Sequence, residues 1–171
     1  NEPDLHCDDV TKGYWLDVEE TFYDFYEIAA KHLKSCFPHL KIGGPSVSNG
    51  REWSVRFLSE MQKREVPIDF FSWHFYSNGY TRVKGVIDSF CNNAYIGSQE
   101  NYKEGYTMGD VPCMNSECGN VWGIEGNAGD SDISWQYKYM MNEFRLHDKL
   151  CGFVFTEFHD VVNEFNGYYK I

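Results

Sequence analysis

Short apolar segments alternate with amphipathic segments along this chain, and that order restricts its fold more than any other feature. The apolar segments predict four strands, at residues 40–42, 66–76, 111–117 and 150–158. The amphipathic segments predict helices at residues 14–36, 52–62 and 82–91 and from about 130 to 146, although Gly85 weakens the third. Such alternation is typical of parallel strands joined by crossover helices, and nearly continuous apolar runs suit a sheet buried on both faces.

Two α/β architectures fit this order, an open doubly wound sheet and a (β/α)8 barrel. The chain contains neither a G-x-G-x-x-G motif nor a P-loop, which removes the commonest reason to choose the open sheet. Residues 92–110 and 119–129 are rich in polar residues and glycine and are predicted to be long loops. The first helix has apolar residues three or four positions apart, which predicts one buried stripe. Its predicted members are Val18, Phe22, Phe25, Ala29 and Leu33.

The composition excludes two classes of partner. The chain has 171 residues, which is enough for one domain with its own core. Its net charge of −11 argues against a nucleic-acid partner, because phosphate binding requires clustered Lys and Arg. No stretch approaches the roughly 20 apolar residues that cross a membrane. We therefore predict no nucleic-acid partner and no membrane partner.

The cysteines and the first residues bear on where the protein resides. The six cysteines show no C-x-x-C spacing. Cys36, Cys113 and Cys151 lie beside apolar residues and are predicted to be buried free thiols. This pattern, with no recognisable signal peptide, favours a reducing, cytoplasmic setting. The chain opens on Asn-Glu-Pro-Asp without an initiator methionine, so we expect it to be a piece of a longer protein.

Polar side chains gather at the carboxyl end of every predicted strand and just before the first helix. They are Asn1 and Glu2; Ser46 and Ser48; His74 and Tyr76; Asn115, Ser116 and Glu117; and Thr156, Glu157, His159 and Asp160. In parallel α/β folds this edge of the sheet binds ligands, and in (β/α)8 barrels it carries the catalytic residues. The pattern therefore predicts a single site at this edge. The abundant aromatic residues could stack on sugar rings there or could fill the core.

Two glutamates in this set, Glu2 and Glu117, indicate chemistry on an acetal. One carboxylic acid can protonate a leaving oxygen, while a second, ionised carboxylate attacks or stabilises the sugar carbon. Either glutamate taken alone could instead cap a helix or form a salt bridge. The catalytic prediction therefore depends on the pair.

The same segments resemble two families of clan A glycoside hydrolases. The opening NEPD is similar to the Asn-Glu-Pro motif that ends the fourth barrel strand in that clan, where the Glu is the general acid/base. The segments LKIGGPS and PIDFFSWHFYS resemble glycoside hydrolase family 39, the β-xylosidase and α-L-iduronidase group. The segments NSECGNVWGIEG and CGFVFTEFHDVVNEFNGYY resemble glycoside hydrolase family 2, the β-galactosidase, β-glucuronidase and β-mannosidase group. Neither family accounts for a seam at about residues 80–92.

The resemblance implies a (β/α)8 TIM barrel and a retaining β-glycoside hydrolase acting on oligo- or polysaccharides, of β-xylosidase or β-galactosidase type. Glu117 would be the nucleophile at the end of strand seven, and Glu2 would be the acid/base. Tyr76, or else His74, would contact the nucleophile, and Asn1 would hydrogen-bond the sugar 2-hydroxyl. The expected partner is a carbohydrate, and no cofactor is required. The residues expected to bind substrate are Asn1, His74, Tyr76, Asn115, Trp122 and Glu157.

The resemblance also implies that residues 1–171 form only the C-terminal half of the barrel, from the end of strand four to strand eight. A barrel closes because every strand has two neighbours, so half of one leaves open parallel edges. We therefore expect the isolated chain to be weakly stable, with little or no activity, and able to form a homo-oligomer through those edges.

Two other functions stay open. A non-catalytic carbohydrate-binding relative, or an inactive fragment, would keep the aromatic residues without requiring both glutamates. A metal site could form near either end of the chain, but the first acidic cluster is more simply a helix N-terminus whose carboxylates interact with the macrodipole. We therefore predict no metal. The candidate ligands are His6, Cys7, Asp8 and Asp9, or His159 and Asp160.

Overall fold

Helices and strands alternate in the structure as they do in the sequence. The computed structural model describes residues 1–5, 15, 17–48, 50–76, 84–87, 90, 111–119 and 134–156. The elements along them are α1 (Glu19–Cys36), β1 (Gly43–Val47), α2 (Arg51–Lys63), β2 (Phe70–Tyr76), β3 (Cys113–Gly119), α3 (Ser134–Leu146) and β4 (Leu150–Phe155). Residues 84–87 are also helical, within the predicted third helix.

The four strands form one parallel sheet in which they lie side by side in chain order, β1-β2-β3-β4. Doubly wound sheets change strand order at a switch point, whereas successive strands of a barrel stay adjacent. The described part of the sheet has no such change, and this favours the barrel over the open sheet.

The two faces of β2 have different surroundings. The indole of Trp73 stacks on Phe90 with ring centroids 4.7 Å apart, and it meets Phe144 of α3 edge-on. Trp73 is fully buried in this aromatic core between sheet and helices. Because alternate side chains of a strand point to opposite faces, His74 and Tyr76 face away from the helices.

The predicted apolar stripe of α1 is wrong in most of its members. Val18, Phe25 and Leu33 are 54%, 56% and 41% exposed. The helix instead turns its tyrosines inward, and the ring of Tyr26 meets Phe57 of α2 edge-on at 5.0 Å. A tyrosine buries most of its ring, so counting only the aliphatic residues and Phe misplaced the buried face. The buried residues are Phe22, Tyr23, Tyr26 and Ala30.

The first strand also lies later than predicted. It spans Gly43–Val47 rather than residues 40–42, so the Gly-Gly-Pro segment is inside the strand instead of ending it. A Cβ on Gly43 would lie 2.2 Å from the carbonyl oxygen of Phe70, so only glycine permits this close approach. Pro45 removes one N–H from the strand, which an edge position tolerates.

The other elements lie where they were predicted, with displaced ends. Among the described residues α1 starts at Glu19 rather than residue 14, β2 at Phe70 rather than residue 66, and β3 at Cys113. Apart from residue 119, the two predicted loops lie outside the described residues. Within the described part of the chain, no helix is long and apolar enough to cross a membrane.

Cys113 is buried as predicted, but Cys36 and Cys151 are exposed. The prediction failed for these two because it used sequence neighbours. Adjacent residues point to opposite faces of a strand, and on a helix they do not share a face, so apolar neighbours do not bury the residue between them.

Candidate active site

Three side chains from separate parts of the chain converge beyond the ends of the central strands. Glu2 precedes α1, His74 lies near the end of β2, and Glu117 lies near the end of β3. Nδ1 of His74 is 2.9 Å from Oε1 of Glu2 and 3.6 Å from Oε2 of Glu117. One side-chain oxygen or nitrogen from each residue lies within 4.8 Å of one from each of the others. The two glutamates paired from the sequence, Glu2 and Glu117, are therefore close together in the structure.

The cluster is partly shielded from solvent. The side chains of Glu2, His74 and Glu117 are 15%, 3% and 26% exposed. The imidazole is thus inside the protein, while both carboxylates keep contact with the exterior. Carboxylates placed in this way can meet a substrate from solvent without being fully desolvated beforehand.

Glu2 is held by hydrogen bonds to the end of β1. Its N–H donates to the carbonyl oxygen of Ser46 over 2.8 Å. The carboxylate of Asp4 accepts hydrogen bonds from the N–H groups of Ser48 and Gly50, at 2.8 and 2.7 Å. Glu2 has a φ of 48°, a left-handed conformation that costs a glutamate energy and so indicates a residue constrained by its surroundings.

A β-bulge in β3 determines the face of the sheet to which the side chain of Glu117 points. Trp73 of β2 pairs with Asn115, but the next residue, His74, pairs with Glu117, so Ser116 is an extra residue on β3. An extra residue shifts the alternation of side chains beyond it by one position. Without Ser116, the carboxylate of Glu117 would fall on the helix-covered face of the sheet. The bulge turns it toward His74 instead.

Tyr76 completes the surroundings of Glu117. Its hydroxyl donates a hydrogen bond of 2.5 Å to Oε1 of the glutamate, and its side chain comes from the last residue of β2. Such a short bond from O–H to a carboxylate is of the charge-assisted kind, which is stronger than a bond between neutral groups.

Cys118 lies directly after Glu117 on the opposite side of the strand. Burial, and secondarily the charge of Glu117, raises the pKa of its thiol to about 12. The thiol is buried and contacts the carbonyl oxygen of Val154 at 3.3 Å. A thiol in this state is neither nucleophilic nor accessible, so it plays no chemical part.

The substrate-binding prediction for Asn115 is corrected by the structure. Its side chain is completely buried and donates a hydrogen bond of 3.2 Å to the carbonyl oxygen of Trp73. Asn115 precedes the bulge, so the regular alternation of side chains places it on the same face of the sheet as its partner Trp73. It holds the two strands together and cannot reach a sugar.

The other predicted residues divide into two groups. Asn1 is exposed beside Glu2, and His74 and Tyr76 contact the two glutamates. The second group lies outside the described residues and consists of Trp122 and Glu157 and the candidate metal ligands His6, Cys7, Asp8, Asp9, His159 and Asp160.

Two contributors to the site were missed by sequence reasoning. Asp4 anchors the segment that bears Glu2, but in the sequence it is simply an acidic residue before a helix. Ser72 hydrogen-bonds Ser46 from inside the apolar run of β2, where a lone serine gave no reason to suspect a role. The site's three convergent groups, two carboxylates and an imidazole, could also ligate a divalent cation, because each offers one ligand atom.

Comparison with known proteins identifies the family. The sequence pattern of the family described as "Glycosyl hydrolases family 39" matches residues 1–125, which is most of the chain and includes both glutamates. The chain belongs to glycosyl hydrolase family 39. Over 80 residues, or 46% of the chain, it is 38% identical to a β-xylosidase of Geobacillus stearothermophilus, and this match covers 15% of that protein.

Solved structures of low sequence identity share the fold. A family 39 β-xylosidase from Caulobacter crescentus superposes with a TM-score of 0.61 at 21% identity over 98% of this chain and 33% of that one. A glucosidase from Croceicoccus marinus gives a TM-score of 0.67 at 20% identity over 91% of this chain and 31% of that one. The predicted fold class, α/β of the (β/α)8 barrel type, is thereby confirmed, and the coverage of these structures is consistent with part of a barrel. The chain spans about a third of the length of these two structures.

The family match changes one part of the predicted resemblance. It runs through the seam at residues 80–92 and as far as residue 125, so it includes the NSECG segment that resembled family 2. Family 39 alone therefore accounts for the region around Glu117. The resemblance of residues 151–169 to family 2 stays a prediction.

Proposed function

We propose that this chain is part of the catalytic domain of a retaining β-glycoside hydrolase, with Glu117 as the nucleophile and Glu2 as the general acid/base. The observation that carries the proposal is the approach of the two carboxylates, which have oxygens within 4.8 Å of one another beside His74. Membership of a glycosyl hydrolase family supports a glycosidic bond as the target.

The two carboxylates are close enough for a retaining pair. Retaining glycosidases hold their two carboxyl groups about 5–5.5 Å apart, whereas inverting enzymes separate them by about 6.5–9.5 Å to admit a water molecule. An approach of oxygens within 4.8 Å is consistent with the first class.

The proposed reaction has two displacements. First, the carboxylate of Glu117 attacks the anomeric carbon and the bond to the leaving oxygen breaks. The electron pair of that bond stays on the leaving oxygen, which takes the proton of the Glu2 carboxylic acid. Next, the Glu2 carboxylate takes a proton from water, whose oxygen attacks the same carbon and releases the Glu117 carboxylate. Both glutamates then regain their starting protonation states, and the anomeric configuration is retained.

Two neighbouring side chains support these roles. The hydrogen bond from Tyr76 stabilises Glu117 as an oriented carboxylate. His74 lies 2.9 Å from Glu2 and is almost completely buried. We therefore assign His74 to orienting Glu2 rather than to binding the sugar, because a side chain with 3% exposure offers little surface to a substrate.

The first substrate to test is a β-xyloside. The β-xylosidase of Geobacillus stearothermophilus is the relative with 38% identity over 80 residues. A β-galactoside is the second choice, because it is suggested by the resemblance to family 2. That resemblance now concerns only residues 151–169, since the family 39 match covers residues 1–125. The partner of the site is thus a carbohydrate with a β-linked terminal or internal sugar.

The decisive experiment compares Glu117→Gln and Glu2→Ala in the full-length protein that carries this chain. On aryl β-xylosides, Glu117→Gln should lower kcat by more than about 10⁴-fold, as loss of a nucleophile does. Glu2→Ala should be slow, and added azide should rescue it by attacking the covalent intermediate, which yields a β-glycosyl azide. The matched control is Glu52→Gln, a change of the same kind at an exposed position of α2.

Two results would contradict the proposal. If Glu117→Gln keeps its activity, that residue is not the nucleophile. If the protein binds xylo-oligosaccharides without turnover and Glu117→Ala binds them equally well, the protein is a carbohydrate-binding relative. Oligomerisation through open sheet edges and a cytoplasmic location stay predictions, which sedimentation and cell fractionation would test.

A further inference from the structure

Ser46 is joined by hydrogen bonds to both of the segments that carry the glutamates. Its carbonyl oxygen accepts the N–H of Glu2 over 2.8 Å. Its hydroxyl oxygen accepts the hydroxyl of Ser116 over 3.1 Å, and Ser116 is the residue directly before Glu117. Besides His74, which lies near both carboxylates, Ser46 therefore links the backbone of Glu2 to the residue that precedes Glu117.

Ser46 is itself held in place by Ser72 of β2. The N–H of Ser46 donates to the Ser72 hydroxyl over 2.9 Å, and the two hydroxyl oxygens lie 3.1 Å apart. Ser72 is 2% exposed, so this anchor is buried inside the protein. Three serines on three neighbouring strands thus form one chain of hydroxyl groups.

Two of these serines occupy irregularities of the sheet. The pairing of β1 with β2 shifts between Pro45 and Val47, which makes Ser46 the additional residue, and its φ is 62°. Ser116 is the additional residue of β3. A bulge lacks regular ladder hydrogen bonds, so its geometry depends on whatever else holds it. Here the hydroxyl of Ser116 bonds that of Ser46 and lies 3.5 Å from the carbonyl oxygen of Trp73, while Ser46 is also held by Ser72.

We propose that Ser46 is a positioning residue that sets the separation and relative orientation of Glu2 and Glu117; this rests on the proposed function. Its carbonyl oxygen accepts the N–H of Glu2 and so holds the backbone of Glu2 at the end of β1. Its hydroxyl fixes the bulge that turns Glu117. Displacement of reacting groups by about 1 Å can lower a rate by about 100-fold, so a small relaxation at Ser46 affects the chemical step.

The test removes the hydroxyl while keeping the backbone contacts. Ser46→Ala, in the full-length protein, should lower kcat by about 3- to 30-fold with KM nearly unchanged, a fraction of the effect of a full displacement. Ser116→Ala should behave similarly, whereas Ser116→Thr keeps a hydroxyl and should stay near the original rate. The double variant Ser46→Ala/Ser116→Ala should lose less activity than the product of the two single effects, because both changes break the bond between these two hydroxyls, whereas only Ser46→Ala also removes the contact with Ser72. Ser59→Ala, at a partly buried position of α2, is the matched control.

A count of active sites distinguishes a misfolded variant from a folded variant whose glutamates are misplaced. Titration with a 2-fluoro glycoside that labels Glu117 gives kcat per competent site, and a purely structural role would lower the number of sites without changing that value. Unchanged kcat per site in Ser46→Ala, with Glu117→Gln inactive, overturns the positioning role and leaves the proposed function intact.

Activity that survives Glu117→Gln instead overturns the proposed function. Crystal structures of the original protein and Ser46→Ala then decide the positioning role. A changed distance between the carboxylates of Glu2 and Glu117 supports it, and an unchanged distance overturns it.

Discussion

The hydroxyl of Tyr76 lies 2.5 Å from Oε1 of Glu117, on the neighbouring strand. The two side chains share a face of the sheet only because Ser116 is inserted into β3 ahead of the glutamate. In a regular strand the carboxylate would point into the aromatic core around Trp73. The contact therefore depends on the irregularity of the sheet as much as on the tyrosine.

Tyr76→Phe should lower kcat on an aryl β-glycoside about 10- to 100-fold. The change removes a hydrogen bond to a charged group, worth about 1.5–3 kcal/mol, and a tenfold rate change corresponds to about 1.4 kcal/mol. The ring and its packing stay, so the folded structure should be preserved. Steady-state kinetics measures the effect, with Tyr139→Phe on the exposed surface of α3 as the matched control. Equal rates for both variants would show that the hydroxyl does not orient Glu117 for the reaction.

Asp4→Ala should destabilise the protein by about 1–2 kcal/mol, because the change removes hydrogen bonds to two N–H groups beside the start of α2. It should also lower activity, since the segment that carries Glu2 loses its anchor. Urea unfolding followed by circular dichroism measures the stability. Asp148→Ala, at an exposed position between α3 and β4, is the control. If both aspartate variants unfold at the same urea concentration, the anchor contributes nothing to the fold.

The sequence contained enough information for the fold class and the pair of glutamates. Strand and helix order follows from local hydrophobic patterns, and the carboxyl ends of parallel strands must meet at one edge. Glu2 and Glu117 could therefore be paired from position alone, although they are more than a hundred residues apart.

Other features depend on contacts that a single sequence does not specify. Which face of α1 is buried depends on which of its rings fit against Trp53 and Phe57. The extent of β1 depends on the close approach of Gly43 to Phe70. The bulges have no sequence signal, because serine is common both in strands and in turns. Asn115 was misassigned for the same reason, since its face depends on whether the bulge comes before or after it.

Cys118 should resist alkylation in the folded chain while Cys36 and Cys151 react. The first thiol is buried with a pKa of about 12, so at about pH 8 only about one molecule in 10⁴ carries the reactive thiolate. The other two are exposed. Brief treatment with iodoacetamide, followed by peptide mass spectrometry, gives the extent of modification at each site. Urea should make Cys118 reactive, and modification of Cys118 as fast as that of Cys36 without urea would contradict the buried position.

Asp69→Asn should lower stability at neutral pH by about 1–2 kcal/mol, and this difference should shrink in acid. Oδ2 of Asp69 accepts hydrogen bonds from Lys34 Nζ and the Ile42 N–H, at 2.7 and 2.8 Å, so the carboxylate ties the end of α1 to the segments before β1 and β2. Burial alone would raise the pKa of Asp69, but these hydrogen bonds and the charges of Lys34 and Lys41 hold the pKa below its ordinary value of 3.8.

The sign of the pH dependence follows from that lowered pKa. The folded state binds the proton of Asp69 less readily than the unfolded state, so its stabilising contribution is complete above pH 3.8 and is lost as the pH falls through the lower pKa of the folded protein. Urea unfolding between about pH 7 and pH 3 should therefore show the original protein and Asp69→Asn converging toward the acid end. Asp148→Asn, a change of the same kind at an exposed position, is the matched control. A difference for Asp69→Asn that stays constant with pH would mean that the shape of the side chain, rather than its charge, holds these segments together.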